Sequence, residues 1–233
     1  MTRLAARRNT SAPPDREPSS SDRVAKAITD NIMIGRYVPG QRFIEGDLAH
    51  DLQVSRGTVR EALKHLAAAR VIELTPHRGA YIRVLTKYEA LELLEVLTAL
   101  SGLAASLAAS KIDKGDNRKR LTAAFERLES DGAKSDRVLH SVDRSSFYDV
   151  IFEISGNKEL FRINPAVPTQ ILRMQVHPYL SAGNLEELFA DYRLIYEAIL
   201  DGDGKKAQRV IQAHTRRRAV QFEQLPLQAF AIE

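Results

Sequence analysis

Two arginines four residues apart, Arg56 and Arg60, occur in the run VSRGTVREAL. On a helix this spacing places both side chains on one face near the helix start. An arginine there can donate two hydrogen bonds to guanine in the major groove of DNA, while Ser55 and Thr58 can bind phosphates. Two solvated arginines on a surface helix would show the same spacing, so the surrounding elements have to decide between a DNA-reading helix and an ordinary one.

A second candidate is the run QAHTRRRA, in which His214 precedes three arginines. Helical periodicity aligns His214 with Ile211 and with Arg218, so these side chains are expected to point into a bundle, with Arg218 at a pocket rim. Arg216 and Arg217 are expected to turn toward solvent. This basic run therefore predicts a buried polar group rather than a DNA-binding patch.

The composition excludes several kinds of site. The 233 residues contain no cysteine, which removes disulfides, thiolate metal ligands and thiol nucleophiles and fits a reducing compartment. No apolar run has the length of a membrane span, so we expect a cytoplasmic protein without membrane contact. Residues 1–85 carry 14 Lys and Arg against 9 Asp and Glu, whereas the remainder carries 20 against 21. A polyanionic partner should therefore bind the N-terminal third.

The elements around Arg56 and Arg60 predict a winged helix-turn-helix domain in residues 21–85. Residues 1–20 are rich in Pro and Ser and predict a disordered arm. Three helical patterns follow, the third capped by Ser55, and two β-type runs, VIELT and AYIRV, are joined by PHRG. Three helices and a two-stranded hairpin in this order are typical of that fold.

Beyond Leu85 the pattern is helical throughout and predicts a mainly α protein. Residues 86–225 are expected to form an all-α bundle of about six helices, followed by a tail at 226–233. The helices are expected near 87–110, 116–131, 136–154, 157–178, 185–201 and 203–223, separated by glycines.

The run from ITDNIMIGRYVPG through VSRGTVREAL to RGAYI resembles the winged-helix domain of the GntR family of bacterial transcription regulators. The resemblance implies that Arg56 and Arg60 read bases and that Ser55 and Thr58 contact the DNA backbone. It also implies that Arg78 and Gly79 form the tip of a wing that reaches the minor groove.

The segments at 93–109, 147–157 and 191–219 resemble the FCD effector domain of the FadR subfamily. Many FCD domains hold a divalent metal with one Asp and three His. At the matching positions this chain has Arg144, Tyr148 and Tyr192, and only His214 is retained. A guanidinium and two phenols are poor ligands for a cation, so no metal and no other cofactor is predicted.

The same positions predict a pocket for a small carboxylated metabolite with an apolar or aromatic body. Arg144 would form a bidentate ion pair with the carboxylate, and the tyrosines and the histidine would donate hydrogen bonds. The expected lining consists of Arg144, Tyr148, Tyr192, His214, Leu97 and Arg218. Alternatively, Arg144 reaches solvent and the tyrosines fill the core. His140 and His177 have no helical partner histidine and are given no role.

These expectations describe a homodimeric, ligand-responsive repressor that binds a near-palindromic double-stranded operator and is released by a small organic acid. One alternative is a ligand-independent DNA-binding protein. An enzyme that uses the helical bundle is the other, but the chain has no G-x-S-x-G elbow, no Gly-rich phosphate loop and no paired metal histidines. We therefore expect that the protein is not an enzyme.

Overall fold

A computed structural model describes residues 17–75, 79–130 and 137–232 of the chain. The N-terminal part, up to Leu85, contains three helices and a small antiparallel sheet. These elements are α1 (Ser20–Met33), β1 (Arg42–Phe43), α2 (Glu45–Asp51), α3 (Arg56–Ala68), β2 (Ile72–Thr75) and β3 (Gly79–Ile82).

The sheet has three strands, in the order β1-β3-β2, whereas the sequence predicted a two-stranded hairpin. The additional strand is β1, in which Arg42 is opposite Tyr81 and Phe43 is opposite Ala80. Two residues are too few to show an alternating pattern, so this strand had no periodic signal in the sequence.

Helix α1 begins at Ser20, one residue before the predicted start of the N-terminal domain at residue 21. Ser19 caps the helix: its side chain accepts a hydrogen bond from the Asp22 backbone, and the Asp22 side chain accepts one from the Ser19 backbone. This reciprocal capping fixes the first turn. Residues 1–16, which make up most of the predicted disordered arm, lie outside the described residues.

Helix α3 is amphipathic as predicted. Its inward side chains, Val59, Ala62, Leu63 and Leu66, are buried in the N-terminal core. Ser55 is the N-cap, and its hydroxyl accepts a hydrogen bond from the Thr58 backbone at 3.1 Å. Burial of this stripe leaves the opposite face of the helix, with Arg56 and Arg60, exposed to solvent.

The C-terminal part contains seven α-helices among the described residues. They are α4 (Lys87–Ala109), α5 (Asn117–Glu129), α6 (Arg137–Ser155), α7 (Lys158–Ile163), α8 (Ala166–Val176), α9 (Ala182–Leu200) and α10 (Gly204–Gln224).

The single helix predicted over residues 157–178 is wrong, because α7 and α8 are separate helices with a break at Asn164 and Pro165. Proline has no backbone N–H and disfavours helical geometry in the residue before it, so the chain turns at Asn164. A short 3-10 turn, His177–Tyr179, then extends α8. This break gives α8 a direction of its own within the bundle.

Helix α4 is the central helix of the bundle and packs along α10. Gly102 makes the close approach possible, since a Cβ atom at this position would lie 2.6 Å from the Gln212 side-chain nitrogen. By length and composition α4 could also cross a membrane, but the core helices of soluble proteins share these properties.

Helix α8 connects the two parts of the protein. The buried Gln175 side chain accepts a hydrogen bond from the Leu85 N–H and donates to the carbonyl oxygens of Leu85 and Ala229. On the same helix, Gln170 donates to the Met33 carbonyl of α1 at 3.2 Å. The linker between β3 and α4 contains Leu85. Residues 226–232 contain a 3-10 turn and lie beside this linker, where the Ala231 N–H donates to the Leu85 carbonyl oxygen. The predicted tail is therefore held against the junction.

Candidate functional site

The first candidate site is the exposed face of α3. Arg60 donates two hydrogen bonds to Glu45 at the start of α2, from Nε to Oε1 at 3.1 Å and from Nη2 to Oε2 at 2.7 Å. The hydrogen bonds from Arg60 hold the pKa of the Glu45 carboxyl below its ordinary value, so the pair stays charged at neutral pH. Glu45 thereby orients the guanidinium while leaving its other N–H groups free to donate to a base.

The guanidinium of Arg56 lies against α2 at Gly46. The position that a Cβ atom would take at Gly46 is 3.3 Å from Arg56 Nη2, so a larger residue would displace this side chain. Beside them, the hydroxyls of Ser55 and Thr58 are 2.9 Å apart. The structure therefore places these four predicted DNA-binding residues together at the N-terminal end of α3.

The remaining two predicted DNA-binding residues belong to the wing. Gly79 starts β3 with a φ of +100°, a conformation in which a side chain would be strained. Arg78 lies outside the described residues, as does His77.

The second candidate site is a cavity of about 100 Å³ inside the bundle. All six predicted pocket residues line it: Arg144, Tyr148, Tyr192, His214, Leu97 and Arg218. They come from helices α4, α6, α9 and α10, so they are brought together only by the packing of the bundle. His140, Thr169, Leu172, Arg173 and His177 also line the cavity, and sequence reasoning gave none of them a role there.

Arg144 is placed over an aromatic ring. Its guanidinium carbon is 4.4 Å from the centre of the Tyr148 ring, which is a cation–π arrangement. Tyr148 and Tyr192 are also packed with each other and with Phe147, with all three side chains buried. The tyrosines are therefore both part of the core and part of the cavity wall. Burial raises the pKa of the Tyr148 phenol, so it remains a hydrogen-bond donor.

His214 is buried and paired with Asp191 on α9, with 2.9 Å between its Nδ1 and the Asp191 Oδ2. Burial opposes the charge on Asp191, but hydrogen bonds from His214 and Arg217 outweigh it and lower the pKa of the carboxyl. Burial lowers the pKa of His214 to about 4. A carboxylate only accepts hydrogen bonds, so Nδ1 must carry the proton, and the neutral ring then presents Nε2 as an acceptor. The sequence had predicted a donor here.

Arg217 has a partner that the sequence did not predict. Its side chain is half-exposed, yet its guanidinium binds both oxygens of Asp191, with 3.3 Å from Nε to Oδ2. Arg217 is therefore exposed, as predicted, but the neighbouring helix provides a carboxylate partner that the sequence did not indicate. Arg216 is exposed, and Arg218 is buried at the cavity wall, both as predicted.

Arg173 on α8 is the principal residue that sequence reasoning missed. Its Nη2 is 3.4 Å from Nε2 of His140, which lies one helical turn before Arg144 on α6. Burial, with the nearby charge of Arg144, lowers the pKa of Arg173 to about 9, so the group is still a cation at neutral pH. Burial also lowers the pKa of His140 to about 3. The four-residue spacing of His140 and Arg144 could have indicated His140 as a lining residue, but it gives no signal for Arg173.

Several polar atoms at the cavity are buried and have no hydrogen-bond partner. They are His140 Nδ1, Thr169 Oγ1, Arg173 Nη1, Tyr192 Oη, Arg218 Nε and Arg218 Nη2. Such atoms cost about 1–3 kcal/mol each when left unsatisfied, so a polar ligand or water that meets them would be stabilised.

The residues at the metal position of FCD domains do not suit a cation. Arg144 and Arg218 both lower the pKa of His214, which means that their positive charges reach the one imidazole retained. Across residues 17–75, 79–130 and 137–232, no three His, Asp or Glu side chains converge as ligands. The chemistry of this position is that of an anion site.

Comparisons with known proteins agree on two regions. The family model described as "FCD domain" matches residues 92–217, and the model described as "Bacterial regulatory proteins, gntR family" matches residues 20–82. The first of these matches alone covers more than half of the chain.

Individual relatives are similar along most of their length. The probable D-xylose utilization operon transcriptional repressor of Paenarthrobacter nicotinovorans is 26% identical over 195 residues, which cover 82% of this chain and 85% of the relative. The galactonate operon transcriptional repressor of Escherichia coli is 21% identical over 224 residues, covering 85% and 96%. The structure of E. coli McbR/YncC has the same fold, with a TM-score of 0.76 at 21% identity over 88% of this chain and 98% of that one.

Proposed function

Because the chain belongs to the GntR family of bacterial regulatory proteins and carries an FCD domain, it is a DNA-binding transcription regulator, and we propose that a small organic acid controls it. The two relatives described above are named as transcriptional repressors, and the protein is not an enzyme. We assign DNA binding to residues 21–85, and effector binding and dimerisation to residues 86–225.

Operator reading is assigned to the N-terminal end of α3. Arg56 and Arg60 would donate to base edges in the major groove, and Ser55 and Thr58 would bind the backbone on either side. The Glu45 pair supports this role for Arg60, since it restricts the guanidinium before DNA arrives. Arg78 and Gly79 would extend the contact into the minor groove.

Effector binding is assigned to the bundle cavity, and the single observation that carries it is the convergence of all six predicted residues on that cavity. Arg144 would pair with a carboxylate, and the phenols of Tyr148 and Tyr192 would donate hydrogen bonds to it. Leu97 and Leu172 provide apolar wall for the body of the ligand. Neutral His214 would accept a hydrogen bond from a ligand hydroxyl.

Relatives named as repressors support repression as the mode of action. Two copies of the chain would present two α3 helices to a near-palindromic operator in the cytoplasm. The effector would release DNA by binding more tightly to an arrangement of the two N-terminal domains that does not fit the operator.

The test begins with an operator selected from a random DNA library and measured by fluorescence anisotropy. Adding organic acids should weaken this binding, and the acids that do so should raise the melting temperature of the free protein. The variant Arg144→Ala should lose the thermal shift, whereas Arg216→Ala, on the exposed face of α10, should retain it. Full ligand stabilisation of Arg144→Ala would exclude the ion pair.

A ligand-independent DNA-binding protein is the competing function. A collapsed bundle interior would favour it, whereas the cavity and its unpartnered polar atoms favour a ligand. If no acid alters operator binding and none shifts the melting temperature, this alternative is supported.

A further inference from the structure

Three guanidinium groups from three helices face the cavity: Arg144, Arg173 and Arg218. Arg218 lies within 4 Å of two carboxylates, at 3.6 Å from Asp191 and 3.8 Å from Glu187. Neither of the other two guanidiniums forms an ion pair with a carboxylate of the described residues. Among the described residues, these two positive charges therefore have no carboxylate within 4 Å, although the charge of Arg144 does reach Asp149.

The two unpaired guanidiniums stand on different walls. Arg144 projects from α6 and stacks on Tyr148, while Arg173 projects from α8, the helix that also contacts α1 and the linker. Each lies close enough to the other to repel it, since the charge of Arg144 contributes to the lowered pKa of Arg173. Both residues line the same cavity.

Unpartnered donors accompany the second guanidinium. Nη1 of Arg173 and the hydroxyl of Thr169 are buried on α8 without a hydrogen-bond partner. The phenol oxygen of Tyr192 is also unpartnered, and this side chain is 0% exposed. A monocarboxylate bound to Arg144 and the phenols would still leave Arg173 Nη1 and the Thr169 hydroxyl unsatisfied, whereas a second anionic group could accept from them.

We propose, on the basis of the function proposed above, that the effector is an organic dianion that bridges Arg144 and Arg173. Its two anionic groups are carboxylates, or one carboxylate and one phosphoryl or phosphonyl group, on a short apolar body. The apolar residues of the cavity, including Leu97, Leu172 and Leu188, surround this body. The proposal gives Arg173 and Thr169 the role of a second anion subsite.

Matched pairs of acids test the proposal by isothermal titration calorimetry at constant ionic strength. The pairs are glutarate with butyrate and phthalate with benzoate, and 3-phosphonopropionate tests a phosphonyl group at the second position. The dianion of each pair should bind at least tenfold more tightly than the monoanion. Equal affinities within both pairs would overturn the proposal that the effector is a dianion. They would leave the carboxylate contact at Arg144 and the proposed function intact.

Substitution of Arg173 locates the second subsite. Arg173→Met should reduce the affinity for the dianion to that for the monoanion and leave the monoanion unchanged, whereas Arg216→Met, which also removes one positive charge, should change neither. The melting temperature of ligand-free Arg173→Met should equal or exceed that of the parent, because an unpaired charge has been removed.

If Arg173→Met instead unfolds, Arg173→Gln decides, since it removes the charge but keeps a polar side chain in the cavity. A lost preference for dianions in that variant supports the second subsite, and a persisting preference contradicts it. A panel in which no acid binds the parent protein would overturn both this proposal and the effector function, an outcome distinct from equal affinities.

Discussion

Arg60 is the residue whose role in DNA reading is most sharply testable. Arg60→Ala should weaken binding to a selected operator by about 1–3 kcal/mol and relax specificity at one base pair, because a bidentate contact to a base is lost. Anisotropy titrations with operators changed at single base pairs measure both effects.

Exposed Arg36, which lies outside α3, provides the control for Arg60, because Arg36→Ala makes the same change of charge in the same domain. A loss from Arg60→Ala that is equal on every operator sequence would show that Arg60 contacts phosphate only.

Two buried histidines should make the protein sensitive to mild acid. His140 and His214 have pKa values of about 3 and about 4 in the fold, both lowered chiefly by burial, against an ordinary 6.5. As the pH falls below 6.5, the imidazoles of the unfolded chain bind protons, whereas the buried imidazoles of the folded protein stay neutral. The folding stability that is present above pH 6.5 is therefore lost toward pH 4. Each imidazole should contribute up to about 1.4 kcal/mol per pH unit.

Urea unfolding at pH 7.5, 6.5, 5.5 and 5.0 checks this dependence. His140→Gln should reduce the slope by about half, while the exposed control His50→Gln should leave it unchanged. An unaltered slope in His140→Gln would mean that this imidazole is not the source of the acid sensitivity.

At the scale of elements, α8 and the linker are joined through one side chain. Gln175→Ala would leave the Leu85 N–H and the Ala229 carbonyl without their partner, which should cost about 1–3 kcal/mol for each group left unsatisfied. Chemical unfolding measures the loss, with Gln228→Ala, at an exposed position, as the control. A stability equal to that of the parent would indicate that water replaces the side chain.

The helices and strands also show which parts of the fold could be predicted from the sequence. The capped, amphipathic α3 and most helices of the bundle were predictable, since their periodicity and their caps are local signals. Strand β1 is too short to have a period, and the break at Pro165 was overridden by the helical pattern on both sides of it. The pairing of Asp191 with His214 joins two helices, so no spacing within either helix reveals it.

The residues of the candidate sites also divide into those that the sequence could reveal and those that it could not. Arg56, Arg60 and the positions around Arg144 could be found because a family pattern fixes their places in the sequence. Arg173 could not, because its part in the cavity depends on the direction that α8 takes after the break. Polar groups contributed by a separately oriented helix become visible only in three dimensions.

At the scale of the whole molecule, α4 offers a surface for the second copy of the chain. Val96 and Leu103 are 53% and 45% exposed, and their spacing of seven residues puts them on one seam with the partly exposed Leu100. Apolar residues at this spacing are typical of helix pairs. The protein should therefore dimerise along α4.

Leu103→Glu should convert the dimer into a monomer in multi-angle light scattering, because it places a charge in the apolar seam. Operator affinity should fall, and its dependence on salt should weaken as one copy contacts fewer phosphates. Ile163→Glu, at an apolar residue of α7 that is 50% exposed, should remain dimeric. The reverse pattern would place the interface on α7.

The unpaired guanidiniums of the cavity also have a practical consequence for handling the protein. A site that lacks its counter-ions will accept whatever anion the solution provides, so sulfate, phosphate or citrate in a purification buffer would compete with the effector. Melting temperatures and operator affinities measured in such buffers would describe a partly occupied protein. Chloride at low concentration, with a zwitterionic buffer, is the medium in which the empty cavity should be compared with the filled one.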